Sequence, residues 1–181
     1  ILNATINNNV SSNNNNHGFE VRSQNTARLT ATLDGNTADN NTGGWVHGFY
    51  VRSQNTSHSD ITLSNNSARA NDLDGFLVYV LDSSTMTATL DDNTATNNAR
   101  QGLWILDNSG DLTATLTGNT ATGNSNQGIA AQNNGTGDLS VMLQDNVSTG
   151  NGSYGVYILD NTPSSITVDM GGGVLGSTGG N

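Results

Sequence analysis

The chain has no cysteine and no lysine, and it has one proline, one glutamate and three histidines. Without cysteine no disulfide holds the fold, and thiol usage says nothing of the compartment. The near absence of Lys and Glu, both strong helix formers, excludes a helical protein. Five Arg face 14 Asp and one Glu, for a formal net charge of -10. Nothing here could neutralise a run of phosphates, so nucleic acid is excluded as a partner. No stretch reaches the roughly 18 apolar residues of a membrane span, so membrane insertion is not expected. What is abundant is Asn, Thr and Gly, at 29, 23 and 22 of 181 residues.

These residues recur in a pattern. The segments LTATLDGNTADNN, MTATLDDNTATNN and LTATLTGNTATGN are near copies. Aligned on the last apolar residue of the strand, the units fall at Ile6, Leu33, Leu63, Leu90, Leu116, Leu143 and Met170, spaced by 27, 30, 27, 26, 27 and 27 residues. A fixed period of this size marks a solenoid. A second anchor, Gly18, Gly48, Gly75, Gly102, Gly128 and Gly155, follows the first by 12 residues except in the second unit, where Thr42 to His47 hold a three-residue insertion. Within a unit apolar residues alternate with Thr, the signature of strands with one buried face. A short NTAT-type segment between them supplies a third strand. Neighbouring strands differ in type while strands one unit apart match, which favours parallel stacking over hairpins. The expected fold is all-β: a right-handed parallel β-helix of about seven rungs, about 27 residues and three short strands per rung. Two Asn columns, Asn9, Asn36, Asn66, Asn93, Asn119, Asn146 and Asn14, Asn41, Asn71, Asn98, Asn124, Asn151, are expected at corners, where Asn tolerates left-handed backbone and stacked amides bond along the axis. Eight N-x-S/T sequons occur, as an Asn-rich chain produces by chance, and those on the columns would be turned inward.

The units NTATNNARQGLWILDNSGDLTATL and NSARANDLDGFLVYVLDSSTMTATL resemble the parallel β-helix repeats of the pectate-lyase-like superfamily over essentially the whole chain, and GGGVLGSTGGN is similar to a segment of bacterial surface and secreted proteins of that class. The resemblance implies an extracellular or cell-surface location. Residues 1–181 read as a single domain, expected to be a segment of a longer protein or to meet another chain at its ends, because neither end shows a cap.

The outward face of the second strand carries the candidate site. Its columns are Glu20, Tyr50, Leu77, Trp104, Ala130, Tyr157 and Arg22, Arg52, Tyr79, Leu106, Gln132, Leu159, with Trp45 beside them in the insertion. Trp45, Tyr50, Arg22, Arg52, Tyr79, Trp104 and Tyr157 are candidate ligand contacts, since aromatic faces beside Arg suit a sugar ring. Leu77, Leu106 and Leu159 instead suggest contact with protein, through self-association or a flanking domain. His47, Tyr50, Arg52 and Asp74 could cluster as a catalytic set for a polysaccharide lyase or glycosidase, but they match no catalytic motif, and a glycosidase would need two carboxylates flanking the bond. Asp91 with Asp92, and Asp107 with Asp111, offer hard oxygens to Ca²⁺, without a D-x-D-x-D-G loop to organise them. Two Thr columns, Thr5, Thr32, Thr62, Thr89, Thr115 and Thr30, Thr87, Thr113, form a grid of the kind that orders ice, interrupted at Asp60, Met142 and Asp169. The favoured expectation is a non-enzymatic structural or adhesive module contacting protein or glycan; the alternatives are a carbohydrate-active enzyme and ice binding.

Overall fold

The alternation of apolar residues with Thr is realised as strands that lie against their counterparts one repeat away, in a computed structural model that describes residues 1–173 and 175–181. Three sheets result. The longest has seven strands in the order β1 (Leu2–Asn7), β3 (Arg28–Asp34), β6 (His58–Ser64), β9 (Thr85–Asp91), β12 (Asp111–Thr117), β15 (Leu139–Gln144) and β18 (Ile166–Asp169). The second has six: β2 (Phe19–Ser23), β5 (Phe49–Ser53), β8 (Phe76–Leu81), β11 (Leu103–Asn108), β14 (Ile129–Asn133) and β17 (Val156–Asp160). Five three-residue strands make the narrow third: β4 (Thr37–Asp39), β7 (Ser67–Arg69), β10 (Thr94–Thr96), β13 (Thr120–Thr122) and β16 (Val147–Thr149). Every pairing is parallel, and the columns read from the sequence are the observed registers, as in Leu77↔Trp104 and Trp104↔Ala130. The chain is a parallel β-helix of about 27 residues per rung. No helix among the described residues is long and apolar enough to cross a membrane.

The core is a stack of like residues. Leu33, Leu63, Leu90, Leu116 and Leu143 are fully buried from the first sheet. Each such side chain contributes roughly 1.5–3 kcal/mol by leaving water. Ala38, Ala68, Ala95 and Ala121 are buried from the third sheet, and Phe19, Phe49 and Phe76 stack at 4.9 and 4.7 Å from the second. The Ala column explains the Gly anchor. A Cβ built on Gly48 would lie 2.8 Å from the Ala68 Cβ, 2.7 Å from the Gly75 carbonyl oxygen and 2.9 Å from Asn71 Nδ2, and the neighbouring rungs repeat this crowding. Space, not backbone conformation, demands glycine there.

Both Asn columns are continuous ladders. Asn36, for example, donates from its backbone N–H (2.9 Å) and from Nδ2 (3.0 Å) to Oδ1 of Asn66, while the same Nδ2 also donates to the Ile6 carbonyl at 2.7 Å. The expected left-handed geometry falls elsewhere. It belongs to the residue just before each ladder position: Asn8, Gly35, Asn65, Asp92, Gly118 and Asp145 before the first ladder, and Asn13, Asn40, Ala70, Asn97, Gly123 and Gly150 before the second. In these two ladders one residue turns the chain and the next bonds along the axis. A shorter third ladder, absent from the sequence reading, links Asn25, Asn55 and Asp82 at the exposed corner: Asn25 N–H donates to Asn55 Oδ1 at 3.1 Å and Asn55 N–H to Asp82 Oδ2 at 2.9 Å.

The two ends differ. Ile1 and Leu2 are 98% and 60% exposed at the edge of the first rung. At the other end Asp169, expected on the outward Thr column, is buried beneath the glycine-rich segment. Its Oδ1 accepts from the N–H groups of Gly171 and Gly173, and its Oδ2 from those of Leu175, Gly176 and Ser177, at 2.8–3.1 Å. Burial alone would raise the Asp169 carboxyl, but these amides outweigh it and hold the group below the usual range. Asn181 then extends the first ladder, accepting from Asn146 Nδ2 at 2.9 Å. Residues 171–173 and 175–181 are thus tied to the last rungs through Asp169, Leu143 and Asn146.

Candidate functional site

The three-residue insertion in the second unit builds a wall beside the second sheet. Gly43 and Gly44, at φ 150° and 95°, carry the chain outward, and Asp72 Oδ2 holds the loop by accepting from both of their N–H groups at 2.7 and 3.1 Å. Those two bonds lower the Asp72 carboxyl below its ordinary value. Val46 anchors the loop inward, 3% exposed, so Trp45 is left 80% exposed at the tip. Opposite it the outward residues of β5, β8 and β11 complete a groove of about 580 Å³.

The floor is Leu77 and Leu106. Both were expected to be exposed, but they are 5% and 7% accessible. The larger side chains Tyr50, Tyr79, Trp104 and Trp45 line the same groove. A ligand in the groove meets ring faces and polar edges above a leucine floor, with Leu73 at its side. Arg100 lies over the Trp104 ring at 4.8 Å, and Arg52 lies 5.7 Å from the Tyr50 centroid. Neither arginine has an ion-pair partner among the described residues. Trp104 Nε1 and Arg52 Nε are buried donors without a partner. Burial pushes both the Tyr50 and Tyr79 phenols up, so each stays protonated and able to donate at neutral pH. Tyr79 oxygen also accepts from Asn108 Nδ2 at 3.2 Å.

One wall of the groove includes His47, from the column one residue before the Gly anchor. His17 and His47 stack at 5.2 Å, and Tyr50 packs against both. His17 Nδ1 accepts the His47 backbone N–H at 3.0 Å. Burial and the neighbouring His47 hold the His17 imidazole below its ordinary value, against Glu20, consistent with a neutral ring. His47 Nδ1 lies 2.9 Å from Asp74 Oδ2 and accepts the Asp74 backbone N–H at 3.3 Å, while Asp74 Oδ1 accepts the Gln101 N–H at 2.9 Å. Sequence reasoning paired His47 with Asp74 only as loose candidates. Their contact depends on one rung stacking on the next.

The remaining candidates are dispersed. Arg22 is exposed and lies 3.8 Å from Glu20, one rung below the groove. Tyr157 is half-buried two rungs above Trp104 and stacks on Tyr154 at 5.4 Å; Leu159 lies beside it, half-buried on β17, the last strand of the second sheet. Asp92 takes a left-handed turn position beside exposed Asp91. Asp107 is buried while Asp111 is exposed and accepts the Asp138 N–H at 3.1 Å. No group of three His, Cys, Asp or Glu that could hold a metal ion occurs among the described residues.

Fold and site together define a parallel β-helix repeat protein with one lateral aromatic groove. The chain belongs to the NosD family, described as periplasmic copper-binding protein (NosD), whose sequence pattern matches residues 30–168. That family is one of right-handed parallel β-helices, and its periplasmic setting agrees with a location outside the cytoplasm. Comparison with curated proteins and with solved structures gives no match.

Proposed function

We propose that this chain is a non-enzymatic, extracytoplasmic β-helix module that binds a glycan in the groove between Trp45 and Trp104. The observation that carries this reading is the low exposure of Leu77 and Leu106 in a groove lined by Trp45, Tyr50, Tyr79 and Trp104. Bare leucines would favour a protein contact, but a surface of ring faces with phenol, indole and guanidinium edges suits a pyranose, whose C–H face stacks on an aromatic while its hydroxyls bond at the rim. The test is binding to a panel of immobilised polysaccharides, followed by the Trp fluorescence of the protein. Trp45→Ala and Trp104→Ala each weaken binding at least tenfold, with unchanged circular dichroism. Binding that ignores both substitutions ends this reading.

A catalytic reading draws on the His47–Asp74 pair in the wall, which could move a proton. Against it, the groove is lined by no carboxylate, and Asp74 is fully buried behind His47. Glycoside hydrolysis needs two carboxylates that reach the bond. Release of reducing ends or unsaturated products, lost in His47→Ala, would make the chain an enzyme.

Copper reaches this chain only through the family's description, and the donors here do not fit it. There is no cysteine. The His17 and His47 rings are 16° from parallel and stacked, so their in-plane lone pairs run side by side and do not converge on one ion. His58 stands apart, bonded through Nδ1 to Thr85 Oγ1 at 2.6 Å, and Met86 is buried in the core.

A further inference from the structure

Tyr154 and Tyr157 form a second aromatic platform outside the groove. Their rings are 5.4 Å apart and 15° from parallel, and Tyr154 is 59% exposed. Nothing in the core requires them. Tyr157 continues the column of Trp104 through Ala130. With strands roughly 4.8 Å apart, the Trp104 and Tyr157 platforms are separated by about 10 Å along the axis, close to two linked sugar units. The rung between them is low. Ala130 puts only a methyl group where Trp104 and Tyr157 carry rings, and at 1% exposed that methyl is covered by the side chains around it. Beside it Gln132 holds an amide at the surface, donating to Asn134 Oδ1 at 2.7 Å. The strip of Trp104, Leu106, Ala130, Gln132, Tyr157 and Leu159 carries no formal charge, in a chain of net charge -10.

We infer that the groove continues as a track: a linear, uncharged glycan lies along the solenoid axis, stacks on Trp45 and Trp104 at one end, crosses the depression over Ala130, and stacks on Tyr157 and Tyr154 at the other. This rests on the glycan reading of the groove and adds the ligand's form, a chain of at least four units with no acidic group. Ring platforms separated by a shallow neutral shelf discriminate by length, since a short ligand reaches only one of them. Positive charge stands only at the groove end, on Arg100 and Arg52, so uronate carboxylates along the shelf have no partner there, and the acidity of the chain opposes them.

The experiment is titration calorimetry with cello-, xylo- and manno-oligosaccharides of two and six units and with hexagalacturonate. A neutral hexamer binds at least tenfold more tightly than its dimer, and hexagalacturonate binds more weakly than the best neutral hexamer. A Tyr154→Ala, Tyr157→Ala double variant, altered only on an outward face, lowers hexamer affinity about tenfold and leaves the dimer unchanged. Equal affinity for dimer and hexamer, or a hexamer indifferent to the double variant, overturns the track while Trp45-dependent binding preserves the groove. Tighter binding of hexagalacturonate overturns the neutral ligand. No binding of any neutral glycan removes the groove reading and the track together.

Discussion

Asn93 donates to a single oxygen of Asn119 twice, from its backbone N–H and from its side-chain Nδ2, each at 3.0 Å. Its own Oδ1 receives the same pair of bonds from Asn66, and its Nδ2 reaches the Leu63 carbonyl at 2.8 Å. The side chain thus ties three consecutive rungs inside a dry corner. Asn93→Leu orphans the Asn66 amides and the Leu63 carbonyl, and buried unpaired groups cost about 1–3 kcal/mol each. Urea unfolding is expected to show a loss of about 3–5 kcal/mol, or failure to fold. Asn93→Asp fares little better, because an oxygen then faces the Leu63 and Asn119 oxygens.

Among the described residues Ala70 is the only alanine in a left-handed position, at φ 53°. Asn13, Asn40, Asn97, Gly123 and Gly150 occupy its column on other rungs. Left-handed backbone costs an ordinary L residue roughly 1–2 kcal/mol. Ala70→Gly and Ala70→Asn should each stabilise by about 0.5–1 kcal/mol, and Ala70→Val should destabilise. Thermal unfolding midpoints that fall in Ala70→Gly would remove this account.

Asp107 is fully buried, and its Oδ2 has no hydrogen-bond partner. Burial pushes its carboxyl up to about 6, against the Gly110 N–H bond at 2.9 Å. The unfolded value is about 3.9, so the folded state holds the proton more firmly. Stability from this group is therefore full below about pH 4 and is lost as pH rises through 6. Asn133 stands one rung on in the same column, and its Nδ2 donates to the Gly137 carbonyl at 3.0 Å. Asp107→Asn should copy that arrangement, gaining about 1–2 kcal/mol at pH 7.5 after allowance for screening, and little at pH 4. Equal gains at both pH values would contradict it.

Gly75→Ala tests the crowding behind the Gly anchor. The new methyl would lie 2.7 Å from the Gly102 carbonyl oxygen, 2.8 Å from Asn98 Nδ2 and 2.9 Å from the Ala95 Cβ. Backbone and ladder must both shift, at a cost of about 3 kcal/mol. Ala95→Gly in the same chain should recover part of that loss. A fully additive double variant would disprove the shared space.

Copper titration addresses the family's description directly. Added Cu(II), and Cu(I) presented with a competing chelator, should form no one-to-one complex that depends on His17 or His47. Stoichiometric uptake lost in a His17→Ala, His47→Ala variant would mean that the stacked rings reorganise around the ion.

Much of this protein was legible in one dimension. A β-helix repeats its contacts at a fixed interval, so the period of about 27 residues, the column Leu77–Trp104–Ala130 and both Asn ladders could be read by alignment of the chain with itself. Aromatic candidates on the second sheet followed, since strand alternation alone assigns a residue to one face. Tertiary structure decided what depends on neighbours one rung away or on side-chain size. Leu77 and Leu106 face outward as the alternation requires, yet they are 5% and 7% exposed in a groove lined by larger rings. The insertion was visible as three extra residues, but only its docking on Asp72 turned Trp45 into a wall. His47 met Asp74, and Asp169 came to lie beneath the glycine-rich segment, through contacts that no alternation pattern encodes. The repeat specifies the scaffold because every rung must satisfy the same core. The groove exists where rungs differ, and those differences acquire meaning only when they are stacked.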